Sequence, residues 1–520
     1  MPDVGVLLEL VEQEAAAATA EAQVADFLSL EALLSLGRAI ANLSVVSCGR
    51  GTVTLECPDN PSRFREGDRL VLQCGPARLR GTLAELSHAG RRCVLQVPNA
   101  SDSLPVGPWV AVEERIDLLG SVRSVLQKLT PGAPGWTFFR RVMGEMAVAA
   151  PTGDDSAGRA LCRALMQESG QALDESQMAV VAACAGAPPL LGVQGPPGTG
   201  KTLVLAFACE ALLRQGKRVA VVAPTHQAVN KALSTIKSLF PAREVLKVGD
   251  ALRRESLADA VGVTPAYKAC RDQGTVAGMT YMAALHQLML APGGSVLPNV
   301  LLIDEAGQLP LTQGACAGLC GAGSVQLFGD DRQMPPVFTA DLAEEPWALS
   351  VFAQLRRAQP QALLPLRVTY RLNDELCNGV NRAFYAGRGD AGFESSASAS
   401  GRRLGPEPQA HATGADAALA LDPRHSLVWA RVHDRSSTQA NEAEAVLAAQ
   451  LVEACLTGGV PPSQVAVVAP FRRQVALVRR ILDRRLGALP GELVVDTVER
   501  VQGLTVDVVI LSMTASQPDY

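Results

Sequence analysis

The sequence predicts an α/β fold in which two parallel-sheet units follow one another, preceded by a small β-barrel held between helical segments. Three observations predict it. From about residue 171 short apolar runs alternate with polar or glycine-rich loops and helical stretches. Residues 43–97 instead carry short β-type runs cut by turns, and 520 residues are too many for one core. A hydrophobic content of 48% with 19% charged residues excludes a disordered chain.

Residues 1–42, rich in Ala, Leu and Glu at helical spacing, form an N-terminal stalk. In 43–115 the runs Leu43–Ser47, Thr52–Glu56, Arg69–Gln73, Arg78–Leu83 and Arg92–Val97 have the spacing of a small barrel. Helical spacing returns in Ile116–Leu129, and 116–170 is read as a second stalk or linker. Residues 171–345 form the first α/β unit, with strands at Leu190–Val193, Arg218–Val222, Val300–Ile303 and Val325–Phe328. Residues 346–520 form the second, with strands at Ser426–Val432, Gln464–Ala469 and Val508–Ser512 and a helix over Asn441–Leu456. The Gly/Ser/Ala-rich stretch 386–420 reads as a surface loop.

The net charge of −5 gives no basic surface overall, and only 4% of residues are aromatic. A nucleic-acid partner would therefore be gripped locally, through phosphates and sugars, rather than by base stacking or base readout. No apolar run approaches the roughly 18 residues of a membrane span, and Met1-Pro2-Asp3 begins no leader. The expectation is a soluble, cytoplasmic protein without a membrane partner. Twelve scattered cysteines with no CxxC pair, and six histidines without ligand spacing, point to reduced thiols rather than disulfides or a structural metal.

Gly195-Pro196-Pro197-Gly198-Thr199-Gly200-Lys201-Thr202 fills every fixed position of a phosphate-binding loop. Its glycines let backbone N–H groups turn inward around phosphate oxygens, and the helix that follows points its positive end at them. Lys201 reaches the β- and γ-phosphates of ATP and the Thr202 hydroxyl ligates Mg²⁺. Leu301-Leu302-Ile303-Asp304-Glu305 supplies the complement: Asp304 holds Mg²⁺ and Glu305 polarises the attacking water. Gln333, after the run Val325–Asp330, is placed to sense the γ-phosphate.

This order of motifs resembles the superfamily 1 helicases over roughly residues 30 to 520, and within them subfamily B, the group of the nonsense-mediated-decay helicase and Senataxin. The resemblance implies two tandem RecA-like P-loop domains with an accessory barrel, 5′→3′ movement, and single-stranded DNA or RNA as partner. Leu173–Gln177 looks like the adenine-reading motif, with Gln177 as the base-edge partner. Ala223–Asn230 is similar to a strand-holding motif, which implies contacts from Pro224, Thr225 and Asn230; Gly278-Met279-Thr280 resembles the next, through Thr280. Asp304–Gln308 matches the Asp-Glu-Ala-x-Gln box, and Gly329–Pro336 the segment bearing the sensor glutamine. Thr369-Tyr370-Arg371 is like the family's Gln-Tyr-Arg, implying Tyr370 near the adenine and Arg371 on the γ-phosphate. Asp496–Gly503 looks like the coupling motif, with Thr497 toward the strand and Gly503 toward the nucleotide. Two departures stand out. Thr505 occupies the place of a usual Glu, and the last, arginine-bearing motif is not reached by Tyr520, so the second unit is expected to be incomplete. A nucleotide-gated clamp, or a nucleoprotein remodeller that separates no strands, is the alternative activity.

Overall fold

A computed structural model describes residues 4–517 except 27, 50, 59, 61, 63, 65, 87–90, 99–103, 115–116, 152–155, 268–273, 291–296 and 386–391. Strands β1 (Ala39–Gly49), β2 (Thr52–Glu56), β3 (Arg69–Cys74), β4 (Ala77–Leu86), β5 (Arg92–Gln96) and β6 (Trp109–Glu113) close into a barrel in the order β1-β2-β5-β4-β3-β6. The β6 strand was not among the expected runs. It closes the barrel by pairing antiparallel with both β1 and β3, and it sinks Trp109 among Ile40, Leu43, Leu55 and Leu72. A lone five-residue run carries little periodicity; a sheet with two open edges is what recruits it.

The first parallel sheet holds β7 (Leu190–Gln194), β8 (Val219–Ala223), β9 (Glu244–Val248), β10 (Gly262–Thr264), β11 (Thr275–Thr280), β12 (Val300–Ile303), β13 (Ser324–Gly329) and β14 (Leu363–Pro365). Their order is β10-β9-β11-β8-β12-β13-β7-β14. Helices Glu175–Ala185, Lys201–Arg214 and His226–Leu239 cover one face. Val4–Asp26, Leu119–Leu126, Trp136–Val142 and Val351–Ala358 cover the other. With both faces covered, β7, β8, β12 and β13 are buried from end to end, which is why they read as unbroken apolar runs. The sheet runs past the expected boundary at residue 345. Leu363 of β14 lies so close over β7 that a Cβ on Gly192 would come within 2.3 Å of it.

Strands β15 (Val368–Thr369) and β16 (Glu394–Ser395) pair in parallel. The second sheet is smaller: β17 (Val465–Ala469), β18 (Val494–Thr497) and β19 (Val508–Leu511), ordered β18-β17-β19 and packed on helices Glu442–Thr457 and Arg472–Leu486. Two expectations are corrected here. Ser426–Val432 is not a strand: it has no ladder partner among the described residues, and its Trp429 is 80% exposed. A short apolar run alone does not make a strand without an edge to pair with. The expected loop at 386–420 lies partly outside the described residues, and its remainder folds into β16 and short helices at Ala397–Ser400, Glu407–Ala410 and Ala415–Ala420. Among the described residues no helix is long and apolar enough to cross a membrane.

The barrel docks on the first sheet through Arg253, in the loop between β9 and β10. Its guanidinium donates to the Gly67 carbonyl (2.7 Å) and to Asp68 Oδ1 (3.0 Å). Gly67 has φ +86°, and a Cβ there would collide with the Arg253 side chain at 2.2 Å.

The helix that follows the phosphate loop is anchored at its far end by Glu210, which is fully buried and accepts from Arg214 Nε (2.6 Å), Arg243 Nε (2.6 Å) and Arg243 Nη2 (2.7 Å). Both arginines reach solvent and can rehydrate, which moderates the penalty of losing the carboxylate. Glu210→Ala is therefore expected to lower unfolding stability by about 2 kcal/mol in denaturant titration, while Glu210→Gln, which keeps an acceptor, costs less.

Candidate nucleotide and strand sites

Parallel pairing brings the carboxyl ends of the strands to one edge of the sheet, the place where open α/β sheets hold ligands. Following β11-β8-β12-β13-β7, that edge presents Thr280, Pro224–Thr225, Asp304–Glu305, Gly329–Asp330 and Gly195 in turn. The phosphate loop, the Asp304–Glu305 pair and the two rim threonines therefore share one edge.

The loop Gly195–Thr202 turns through two left-handed glycines, Gly198 (φ 77°) and Gly200 (φ 78°), before the helix begins at Lys201. The buried Thr199 closes the turn from inside, its hydroxyl donating to the Pro196 carbonyl at 2.8 Å. Gln177 braces the loop from behind. Its carboxamide donates to the Thr199 carbonyl (3.0 Å) and accepts from the Asp174 N–H (3.0 Å) as half of a capping box. At 1% exposure, with both ends engaged, Gln177 shapes the loop from behind, where the expectation set it on an adenine edge.

Lys201 Nζ lies 2.9 Å from Glu305 Oε2 and 3.8 Å from Asp304 Oδ1. Burial pulls the lysine pKa down, but the two carboxylates outweigh it and leave it raised. Burial pushes the Asp304 carboxyl up to about 6, against the pull of Lys201. Glu305 is also opposed by burial, yet Lys201 holds it below its ordinary value. One cation thus serves two acids and draws both down against the effect of burial.

The backbone beneath is unusually close. A Cβ on Gly307 would stand 2.4 Å from the Asp330 carbonyl oxygen, and one on Gly329 would stand 2.7 Å from the Gly307 nitrogen. Glu305 itself has φ 52°, a left-handed conformation that costs a non-glycine residue roughly 1 kcal/mol or more. The turn is held by the Glu305 N–H to Asp304 Oδ1 (2.9 Å) and the Ala306 N–H to the Phe328 carbonyl (2.9 Å). Beside it Asp330 and Gln333 reach the loop, with Gln333 Nε2 donating to the Gly195 carbonyl (3.2 Å) and to Asp330 Oδ2 (2.8 Å).

Residues 369–371 close over the loop. The Thr369 hydroxyl donates to the Pro197 carbonyl (2.8 Å), the Tyr370 N–H to the Gly198 carbonyl (2.9 Å), and the Tyr370 hydroxyl to Asp174 Oδ2 (2.9 Å). Burial, then Asp174, pushes the Tyr370 phenol up to about 12. Arg371 lies against Gly198, its pKa lowered by burial, and pairs with no carboxylate among the described residues.

On the neighbouring strands, Thr225 and Thr280 are both helix N-caps, accepting from Ala228 N (3.2 Å) and Ala283 N (3.3 Å), with Pro224 leading into the first. An N-cap hydroxyl accepts, so its own proton remains free to donate. Two other expected strand residues are buried. Asn230 is 1% exposed, its amide spent on the Arg253 and Glu255 carbonyls, and it braces that loop instead of facing a strand. Thr497 is 3% exposed at the end of β18. Gly503 faces the first unit across the cleft, its carbonyl 3.5 Å from Lys231 Nζ. Lys231 was not foreseen; its charge draws down both Asp304 and Glu305. Only its place one turn into the helix after Thr225 hinted at it.

The oxygen donors suit Mg²⁺. Thr202 carries a hydroxyl with no hydrogen-bond partner among the described residues, and Asp304 a buried carboxylate at the adjoining strand end. Magnesium commonly takes one or two protein oxygens and completes its shell with water and phosphate.

A glycine-rich phosphate loop on a parallel sheet, its lysine set between two strand-end carboxylates, defines a P-loop nucleotide-binding protein. Two family profiles, both described as AAA domain, match residues 172–394 and 347–519. The chain is 26% identical over 374 residues to the DNA replication ATP-dependent helicase/nuclease dna2 of Schizosaccharomyces pombe, covering 66% of this chain and 25% of that protein. It is 23% identical over 359 residues to the Homo sapiens protein of that name, covering 63% of this chain and 32% of that one. The chain thus spans about a quarter to a third of the length of these curated relatives. A solved Arterivirus nonstructural protein 10 (helicase) overlaps it loosely, at 14% identity and a TM-score of 0.38 over 91% of this chain and 74% of that one. The chain is similar to superfamily 1 helicases.

Gly198→Ala tests how tightly the loop and residues 369–371 are fitted. Its Cβ would stand 2.4 Å from Arg371 Cβ and 2.6 Å from Thr369 Oγ1, at a positive φ. The expected outcome is at least a roughly tenfold loss of ATP affinity by titration calorimetry, equivalent to about 1.4 kcal/mol, with unchanged far-ultraviolet circular dichroism.

Proposed function

We propose that this chain is the ATP-driven motor of a helicase or translocase moving along a single nucleic-acid strand. ATP is bound between two RecA-like units, the first reaching from about residue 171 to β14 and the second lying beyond it. The observation that carries the reading is Lys201, clamped between Asp304 and Glu305 under a loop that Arg371 abuts. When phosphate takes over Lys201, Glu305 is released to orient and polarise the attacking water, and Arg371 and Gln333 stand where charge builds on the transferring group. Mg²⁺, held by Thr202 and Asp304, would neutralise phosphate charge. Because the strand rim and the nucleotide rim belong to one sheet, opening and closing of the cleft shifts the strand grip.

The relatives, DNA replication ATP-dependent helicase/nucleases by name, favour DNA as the strand. They are of the Dna2 kind, and the finer likeness to the nonsense-decay helicase and Senataxin, like the 5′→3′ direction, rests on motif order alone.

Lys201→Ala is expected to abolish ATP hydrolysis and, because it leaves Asp304 and Glu305 without their cation, to lower the unfolding midpoint while the chain still folds. Glu305→Gln should retain nucleotide affinity and lose turnover by about 10²-fold or more, the scale of a missing general base. Preserved turnover in the lysine variant, measured by phosphate release, would remove the motor reading; collapsed affinity in the glutamine variant would make Glu305 a structural residue.

Strand gripping is tested without losing the caps. Aspartate caps a helix as well as threonine but repels phosphate. The Thr225→Asp/Thr280→Asp chain is expected to keep its unfolding midpoint and basal turnover, and to bind single-stranded oligonucleotides of any sequence at least about tenfold more weakly, a loss of about 1.4 kcal/mol. Unchanged binding by fluorescence anisotropy would show that both threonines are caps only.

A further inference from the structure

Tyr385 is 2% exposed at the end of the turn Asn381–Tyr385, which continues the helix Asp374–Val380 begun at the Asn373 cap, just after Arg371. Its ring packs edge-on against Phe393, with centroids 5.2 Å apart and planes at 82°. Its hydroxyl leaves this small apolar cluster and donates to Asp330 Oδ2. No motif of the sequence singled out Tyr385 or Asp330 as a pair, 55 positions apart.

Asp330, 3% exposed, is the hub of the contact. Besides the phenol it accepts from Gln333 Nε2 (2.8 Å), the Arg332 N–H (3.1 Å) and, at 3.5 Å, Gln194 Nε2 just before the phosphate loop. Burial pushes the Asp330 carboxyl up, and the hydrogen bonds from Tyr385 and Gln333 pull the other way. Buried carboxylates keep their charge only when donors saturate them, so each of these donors fixes the others through a shared acceptor. Gln333 is the one that matters for chemistry, because its second amide proton, held by the Gly195 carbonyl of the phosphate loop, is the one a bound phosphate would take over.

The segment from Thr369 to Tyr385 is thus fastened to the nucleotide site at both ends. Thr369 holds the Pro197 carbonyl, and Tyr385 holds the carboxylate that aims Gln333. We infer that Tyr385 is a positioning residue, whose hydroxyl sets Gln333 through Asp330 and so couples the γ-phosphate sensor to the segment bearing Arg371. The inference rests on the ATP-hydrolysing reading above. It requires that the hydroxyl affect the rate of hydrolysis and not the binding of ATP.

The test is a steady-state double-mutant cycle on the full chain, with Tyr385→Phe, Gln333→Ala and the pair, and with Lys201→Ala in parallel. Phenylalanine keeps the ring against Phe393 and removes only the hydroxyl. The expected result for Tyr385→Phe is kcat lower by about tenfold with KM for ATP within about twofold, an unchanged unfolding midpoint, and a double variant no slower than Gln333→Ala alone. Unchanged kcat, losses that multiply in the double variant, or a Tyr385→Phe chain that fails to fold would each overturn the inference, the last by assigning the hydroxyl to stability. If Lys201→Ala still hydrolyses ATP, the motor reading itself has failed; if it is dead while Tyr385→Phe is fully active, only the role of Tyr385 falls.

Discussion

A single ammonium group held among carboxylates in a nearly dry cleft organises this molecule. Removed from water, Lys201 would lose its proton, and Asp304 would gain one, were each not the other's partner. The arrangement is balanced rather than strongly stabilising, because desolvation takes back much of what Coulomb attraction contributes. That balance suits a site whose charges must change partners when phosphate arrives. It also explains why the surrounding backbone is so tightly specified: small displacements of any of the three groups would leave a buried charge uncompensated.

The means of holding them is close backbone packing. Gly307 and Gly329 let the turns after β12 and β13 touch without side chains between them, and Glu305 accepts a left-handed conformation as the consequence. Strain of this kind persists only where neighbours over-determine it, here through Asp304 Oδ1, the Phe328 carbonyl and the fully buried strands on either side. The same sheet carries Thr225 and Thr280 at its rim, so the proposed strand grip and the nucleotide site are mechanically one body. Lys231 spans the remaining gap, acting on the carboxylates from the first unit while touching Gly503 of the second.

Residues 369–385 make the cleft two-sided. Thr369, Tyr370 and Arg371 come from beyond the last strand of the first sheet and seal the phosphate loop from above, while Gln177 and Asp174 seal it from behind. An arginine with no carboxylate partner among the described residues, pressed against a glycine of that loop and partly buried, suits an anion. The barrel, fastened by Arg253 to the loop that Asn230 braces, stands at the strand side of the rim.

What the sequence by itself determined was local and contiguous. The phosphate loop needs its glycines, lysine and threonine at fixed spacing, and a buried parallel strand ending in Asp-Glu shows as an apolar run, so Gly195–Thr202, Asp304–Glu305 and the strands that carry them were legible. Only the tertiary structure decided the rest, because it depends on which distant segments meet. Asn230 and Thr497 sit in strand-motif positions yet are buried, and Gln177 spends its amide on the loop. Ser426–Val432 carries a short apolar run like a buried strand but finds no edge, whereas Trp109–Glu113 finds two. Asp330 and Tyr385 meet across 55 positions with no shared periodicity. Hydrogen-bond partners and burial are properties of packed neighbours, and a linear pattern reports those neighbours only when they lie within the same turn or strand.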